Sequence, residues 1–336
     1  MGTGARTAWW AVGGLAALTG STLVAVNTSP RWATALIRVA FERAGAAMAT
    51  RMRRHVPAGV VSRTGIPYRP GDPDATLTVH RRAEVPAASP VLVWVHGGGW
   101  VSGHGSHVDP YLEIIAARAD VVTVSVEYTR GPKAVHPTAL RQIDAALAHL
   151  VEHADELGLD PRRIVLAGDS AGAQLATESA ALVTNPAFAA LAGVRPALEP
   201  AQLRGMLLHC GVYDLAGLVH APGAIGWAVG QVIWAYTGVR SPVDNAALTS
   251  MTAADAVTAQ FPPTLIAGGN GDPLTRYQSR PFADRLAALG VPVEAHFYPD
   301  DHVPKLPHEF QFDLDGADGQ ALLERTLEWL DDRFRP

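Results

Sequence analysis

The chain has 336 residues, 48% of them hydrophobic and 18% charged, and a formal net charge of -5. That length suits one large α/β domain, and the composition excludes collagen-like and disordered classes. The mild acidity excludes an electrostatic footprint for nucleic acid, and a single cysteine, Cys210, excludes both a disulfide framework and a Cys-x-x-Cys zinc site. Cys210 follows the apolar run Met206-Leu207-Leu208, so it reads as a buried bystander.

Residues 8–26 carry no charge, close to the roughly 20 residues that a membrane-spanning helix needs. Gly13, Gly14, Gly20, Ser21 and Thr22 dilute the run, so a membrane anchor and a helix packed on the body are both open readings. A cleaved signal would want a better site than Val24-Ala25-Val26-Asn27 supplies. As a span it would be followed by Arg31, Arg38, Arg43, Arg51, Arg53 and Arg54, which outnumber Arg6 and would keep the body in the cytoplasm. Ser29-Pro30 then reads as a helix start, and Trp32, Leu36, Val39, Ala40 and Ala47 recur at helical spacing as in an amphipathic helix.

The Pro-, Gly- and Asp-rich stretch from Arg63 to Asp74 is the best boundary, which gives amino-terminal helices over 1–62 and a body over 63–336. Short apolar or β-branched runs follow at 75–80, 90–95, 121–127, 163–167, 205–209, 263–267 and 293–298. Helical patterns separate most of them, clearest at 139–157, 171–183, 278–289 and 319–334. This alternation predicts a mostly parallel sheet with helices on both faces. The segment about 220–252 interrupts it with Trp227, Val232, Ile233, Trp234 and Tyr236. Its place after a strand predicts a helical lid that puts Trp227 and Trp234 in the substrate pocket.

The strongest motif is Gly168-Asp169-Ser170-Ala171-Gly172, placed directly between the strand at 163–167 and the helix beginning at Ala171. Gly-x-Ser-x-Gly between strand and helix is the nucleophile elbow, a tight turn that lifts the serine hydroxyl above a sheet. A second apolar strand ends in His96-Gly97-Gly98-Gly99-Trp100. Consecutive glycines let backbone N–H groups converge on one oxygen, and Gly98, Gly99 and Ala171 are the expected donors of an oxyanion hole. No Lys-Ser or Lys-Thr pair follows, as a phosphate-binding P-loop would require.

These two motifs, at this separation, resemble the hormone-sensitive-lipase-like esterases of the α/β-hydrolase fold, from about Pro90 to the carboxyl terminus. Val124-Ser125-Val126-Glu127-Tyr128 is similar to the family's strand ending in Asp-Tyr-Arg-Leu-Ala-Pro-Glu, and His136-Pro137-Thr138-Ala139-Leu140 to its Phe-Pro-Ala-Ala-Leu. Glu127 departs from the family's Asp, and Thr129-Arg130-Gly131-Pro132-Lys133 from its Arg-Leu-Ala-Pro-Glu. The resemblance implies hydrolysis of short or medium acyl esters without cofactor or metal, with Trp100 and Asp169 beside the substrate. An amidase or thioesterase would use the same constellation, and a non-catalytic binding protein could keep the fold.

A serine nucleophile needs a base, and the base needs an acid, in the chain order Ser, Asp or Glu, His. Asp272 follows the strand at 263–267, in Gly271-Asp272-Pro273-Leu274, similar to the family's Asp-Pro-Leu at the carboxyl end of that strand, whereas Asp214 and Asp255 do not terminate this strand. His296 lies inside a strand, which leaves His302 and His308. Distance from Asp272 favours His302. Pro307-His308-Glu309-Phe310 resembles the family's Pro-His-Gly-Phe and favours His308, with Glu309 replacing Gly, so His308 is the expected base and His302 the alternative.

Overall fold

A computed structural model of the chain describes residues 28–84, 86, 88–219, 223–240 and 251–335. The uncharged run at 8–26 lies outside them, as does part of the expected lid segment. No helix among the described residues is long and apolar enough to cross a membrane.

Eight strands form one sheet: β1 (Val60–Pro67), β2 (Thr76–Arg82), β3 (Ser89–Val95), β4 (Val122–Val126), β5 (Leu159–Asp169), β6 (Leu203–His209), β7 (Thr264–Gly268) and β8 (Val293–Phe297). Their order is β1-β2-β4-β3-β5-β6-β7-β8; β2 is antiparallel to both β1 and β4, and every other pairing is parallel. The longer helices are α1 (Pro30–Arg53), α2 (Gly105–Arg118), α3 (Thr138–Glu152), α4 (Ala171–Thr184), α5 (Gly223–Thr237), α6 (Arg280–Ala288) and α7 (Ala317–Phe334). This is the α/β-hydrolase arrangement that the motifs imply.

β3, β4 and β7 are buried at every position, and β5 and β6 along most of their length, because both faces are covered. Alternate residues go to opposite sides: Val91, Val93, Ile164, Leu166, Met206, Leu208 and Ile266 join a core with α3, α4 and α6. Leu92, Trp94, Val165, Ala167, Leu207 and Leu265 join another with α2 and α7. The strand period of two thus divides one apolar run between two cores.

Two expectations are corrected. β1 runs across the division expected at 62/63, because a largely exposed edge strand, Val-Val-Ser-Arg-Thr-Gly-Ile-Pro, lacks the apolar run by which the inner strands declare themselves. The stripe read along α1 is also not its buried side. Trp32, Leu36 and Val39 are exposed, whereas Ala33, Thr34, Ala49 and Met52 are buried. Polar and close contacts set the helix phase. Arg38 donates to the carbonyls of Val101 (2.6 Å) and Gly131 (2.8 Å). Gly45 meets α2 so closely that a β-carbon there would stand 2.4 Å from His107 Nδ1.

This phase is measurable by urea unfolding. Met52→Ala, at a site with no exposure, is expected to cost about 2–5 kcal/mol. Leu36→Ala, at 74% exposure, is expected to stay within about 0.5 kcal/mol of the parent. Equal losses would mean that the helix is turned the other way.

Candidate active site

β5 delivers Ser170 and α4 carries the chain away. Ser170 sits at φ 52 and ψ -120, a conformation that costs a residue with a side chain about 1–3 kcal/mol. The flanking glycines serve close approach. A β-carbon on Gly172 would lie 2.0 Å from the Val95 carbonyl oxygen, and one on Gly168 would lie 2.5 Å from the Gly172 carbonyl carbon. Strain falls on the serine itself, and the glycines clear space around it. The Ser170 N–H is fixed by the His209 carbonyl at 2.9 Å.

β3 ends beside β5, with Val95 opposite Gly168, so the glycine loop leaves the sheet next to the elbow. Gly98 and Gly99 both have positive φ, 110 and 59. The Gly98 carbonyl accepts from Ser102 N at 3.0 Å and Ser102 Oγ at 2.8 Å, which closes the loop. No hydrogen bond among the described residues uses the N–H groups of Gly98, Gly99 or Ala171. Glu127 braces the loop from behind: it accepts from Gly105 N at 2.6 Å and lies 3.6 Å from both His96 and His104. Burial opposes its charge, but His104, His96 and the Gly105 N–H outweigh burial and hold its pKa well below the usual carboxylate range. The His96 ring stacks on Tyr128 with centroids 4.4 Å apart.

Asp272 and His308 arrive from the loops after β7 and β8. His308 Nδ1 stands 2.7 Å from Asp272 Oδ2, and its Nε2 stands 3.0 Å from Ser170 Oγ. Asp272 is buried and accepts from Leu274 N at 2.9 Å. Asn270 laces the two loops together, donating to the carbonyls of Pro299 and His302 and accepting from Leu306 N, all at 2.9–3.0 Å. His302 points elsewhere, 3.1 Å from Asp318 Oδ1. Beside His308, the Cys210 sulfur lies with the ligand atoms of Asp272 and His308 in a set mutually within 4.8 Å. Burial raises the Cys210 pKa, which works against the thiolate that a metal ion would need.

A cavity of about 610 Å³ opens over Ser170. Trp100 lines it, fixed by its indole N–H on Gln174 Oε1 at 2.9 Å. Asp169 reaches the lining but is occupied by fastening, accepting from Trp94 Nε1 at 2.7 Å and Gly97 N at 2.9 Å. Burial, reinforced by Glu309, pushes its carboxyl up to about 8. Trp227 and Trp234 do not line the cavity. Helical phase turns Ala228, Val229, Val232 and Ile233 of α5 inward instead, leaving Trp227 48% exposed and Trp234 beside Arg240. The opposite wall, which the sequence reading missed, comes from Ile37, Ala44 and Met48 of α1. The signal available for it was the second apolar row of that helix.

A family model described as alpha/beta hydrolase fold matches residues 92–311. The chain belongs to the α/β-hydrolase family. It falls in the hormone-sensitive-lipase-like branch that its motifs resemble, an esterase- and lipase-like group of hydrolases. Similar solved structures include esterase B from Lactobacillus rhamnosis, 22% identical, TM-score 0.75, with 90% of this chain and 96% of that one covered. A hyperthermophilic esterase from the archaeon Pyrobaculum calidifontis is 22% identical, TM-score 0.72, with 93% and 95% covered. Esterase LipW from Mycobacterium marinum is 25% identical, TM-score 0.69, with 90% of each chain covered.

The two kinds of glycine constraint separate by experiment. Gly172→Ala pushes a β-carbon into backbone, and a loss above about 3 kcal/mol in unfolding free energy is expected. Gly193→Ala has φ 61 but no atom within 4 Å, so it should lose only about 1–2 kcal/mol.

Proposed function

We propose that this α/β-hydrolase cleaves carboxylic esters of short to medium acyl chains through an acyl-enzyme on Ser170. The observation that carries the reading is the single histidine bridging an acid and a serine, His308, with one nitrogen at 2.7 Å from Asp272 and the other at 3.0 Å from Ser170 Oγ. Similar solved structures of proteins named esterases agree with it.

In the proposed reaction Ser170 Oγ bonds to the ester carbonyl carbon while its proton passes to His308 Nε2. Asp272, hydrogen-bonded to Nδ1, stabilises the imidazolium. The free N–H groups of Gly98, Gly99 and Ala171 face the developing oxyanion, each donor worth about 3–4 kcal/mol of barrier. The bond to the alcohol oxygen then breaks, and His308 returns its proton to that oxygen. A water, deprotonated by the same nitrogen, attacks the acyl carbon, and the Ser170 hydroxyl re-forms as the acid departs.

With p-nitrophenyl butyrate as substrate, Ser170→Ala and His308→Ala should each lose kcat by as much as about a million-fold. His302→Ala should keep most of it. Activity in folded Ser170→Ala, or in His308→Ala, would overturn the reading.

The pH profile supplies a separate check. Desolvation by the cavity walls disfavours charge on the His308 ring, but the Asp272 hydrogen bond and the Glu309 carboxylate act the other way and hold its pKa above the ordinary 6.5. The base must be neutral to take a proton, so kcat/KM should fall as pH falls through a value above 6.5. Asp272→Asn should move that limb toward acid.

A further inference from the structure

Glu309 stands where the resembling family has glycine after its histidine. Its backbone lies in the left-handed region at φ 61 and ψ 27, which glycine adopts freely and a glutamate holds at a cost of about 1–2 kcal/mol. The residue forms part of the cavity lining. Its Oε1 lies 3.9 Å from His308 Nε2, the nitrogen that faces Ser170 Oγ. Among the described residues its carboxylate has no other ion pair and no hydrogen bond. Among the described residues no Lys or Arg lines the cavity, and the other lining carboxyl, Asp169, is already engaged by Trp94 and Gly97. The walls from α1 and α5 are chiefly aliphatic. When His308 is neutral, as the base must be, this half-buried carboxylate faces no counter-charge among the described residues.

We propose that Glu309 selects esters whose alcohol part carries a cationic group, such as the ammonium of a short amino alcohol. The proposal rests on the ester-hydrolase reading above. In that reaction His308 Nε2 hands its proton to the departing alcohol oxygen, so the alcohol lies on the Nε2 side, where Glu309 is. A carboxylate there opposes negative charge growing on the alkoxide. A cation a few bonds from that oxygen pairs with Glu309 and removes the opposition, while the aliphatic walls take the methylene and N-methyl groups. Substrate charge and site charge then complement each other, which neutral esters of the same shape cannot do.

The test uses two esters of matched shape, choline butyrate and 3,3-dimethylbutyl butyrate, with p-nitrophenyl butyrate as the check that ester hydrolysis occurs at all. The wild-type protein is expected to favour the choline ester by about fivefold or more in kcat/KM, chiefly through KM. That preference should shrink as salt is added. Glu309→Gln, which keeps the shape and removes the charge, should bring the ratio of the two esters to about one. Glu309→Gly, better suited to the backbone at this position, should do the same and serves where the Gln variant folds poorly. A wild-type ratio at or below about one, or a preference that survives both substitutions, overturns the proposal. Failure to turn over p-nitrophenyl butyrate would instead overturn the ester-hydrolase reading itself.

Discussion

The carboxyl of Asp169 holds two strand ends together, taking the Trp94 indole N–H on one oxygen and the Gly97 backbone N–H on the other. β3 and β5 are neighbours in the sheet, so this clasp fixes where the glycine loop and the elbow leave it. Contact is close on both sides of the clasp: a β-carbon on Gly97 would lie 2.2 Å from Asp169 Oδ2, and one on Gly172 would strike the Val95 carbonyl. Backbone approaches backbone here at distances that a side chain would forbid. The strain held in Ser170 persists because these neighbours leave the turn no other path. Without the carboxyl, the buried Trp94 N–H would lose its partner, a penalty of about 1–3 kcal/mol.

His308 is held by different means. No strand carries it; it sits in a loop that follows β8, and its position comes from the lacing of that loop to the one after β7. Asn270 makes three of those bonds, and Gly269 and Gly271 both press against Leu306. A longer loop costs little entropy when its end is pinned. Residues 300–306 therefore enlarge the connection without loosening the histidine, and His302 becomes part of the packing against Tyr298 and Asp318.

Much of this was legible in the sequence, for local reasons. The inner strands are largely apolar and buried along most of their length, and the elbow and the glycine loop are contiguous motifs in which glycine has a steric purpose. β1 was hidden because an exposed edge strand obeys no strict apolar rule. The phase of α1 was hidden because it is set by Arg38, Gly45 and their distant partners rather than by the helix's own hydrophobic row. The same holds for α5, where the bulk of Trp227 and Trp234 suggested a pocket but helical phase gave the lining to Val229, Val232 and Ile233. Periodicity shows that a helix has sides. Which side faces inward is decided by residues far away in the chain.

α1 has a further consequence for the order in which the molecule can be assembled. During synthesis it emerges ahead of every strand, yet its anchors are the carbonyls of Val101 and Gly131, and its neighbouring helices are α2 and α5. None of these exists when the helix leaves the ribosome. The inner row with Ile37 and Met48 must therefore wait uncovered while most of the sheet is made, and this part of the topology has a high contact order. The roof of the cavity is thus the first part of the body to be made and, by its partners' place in the chain, among the last that can be fastened.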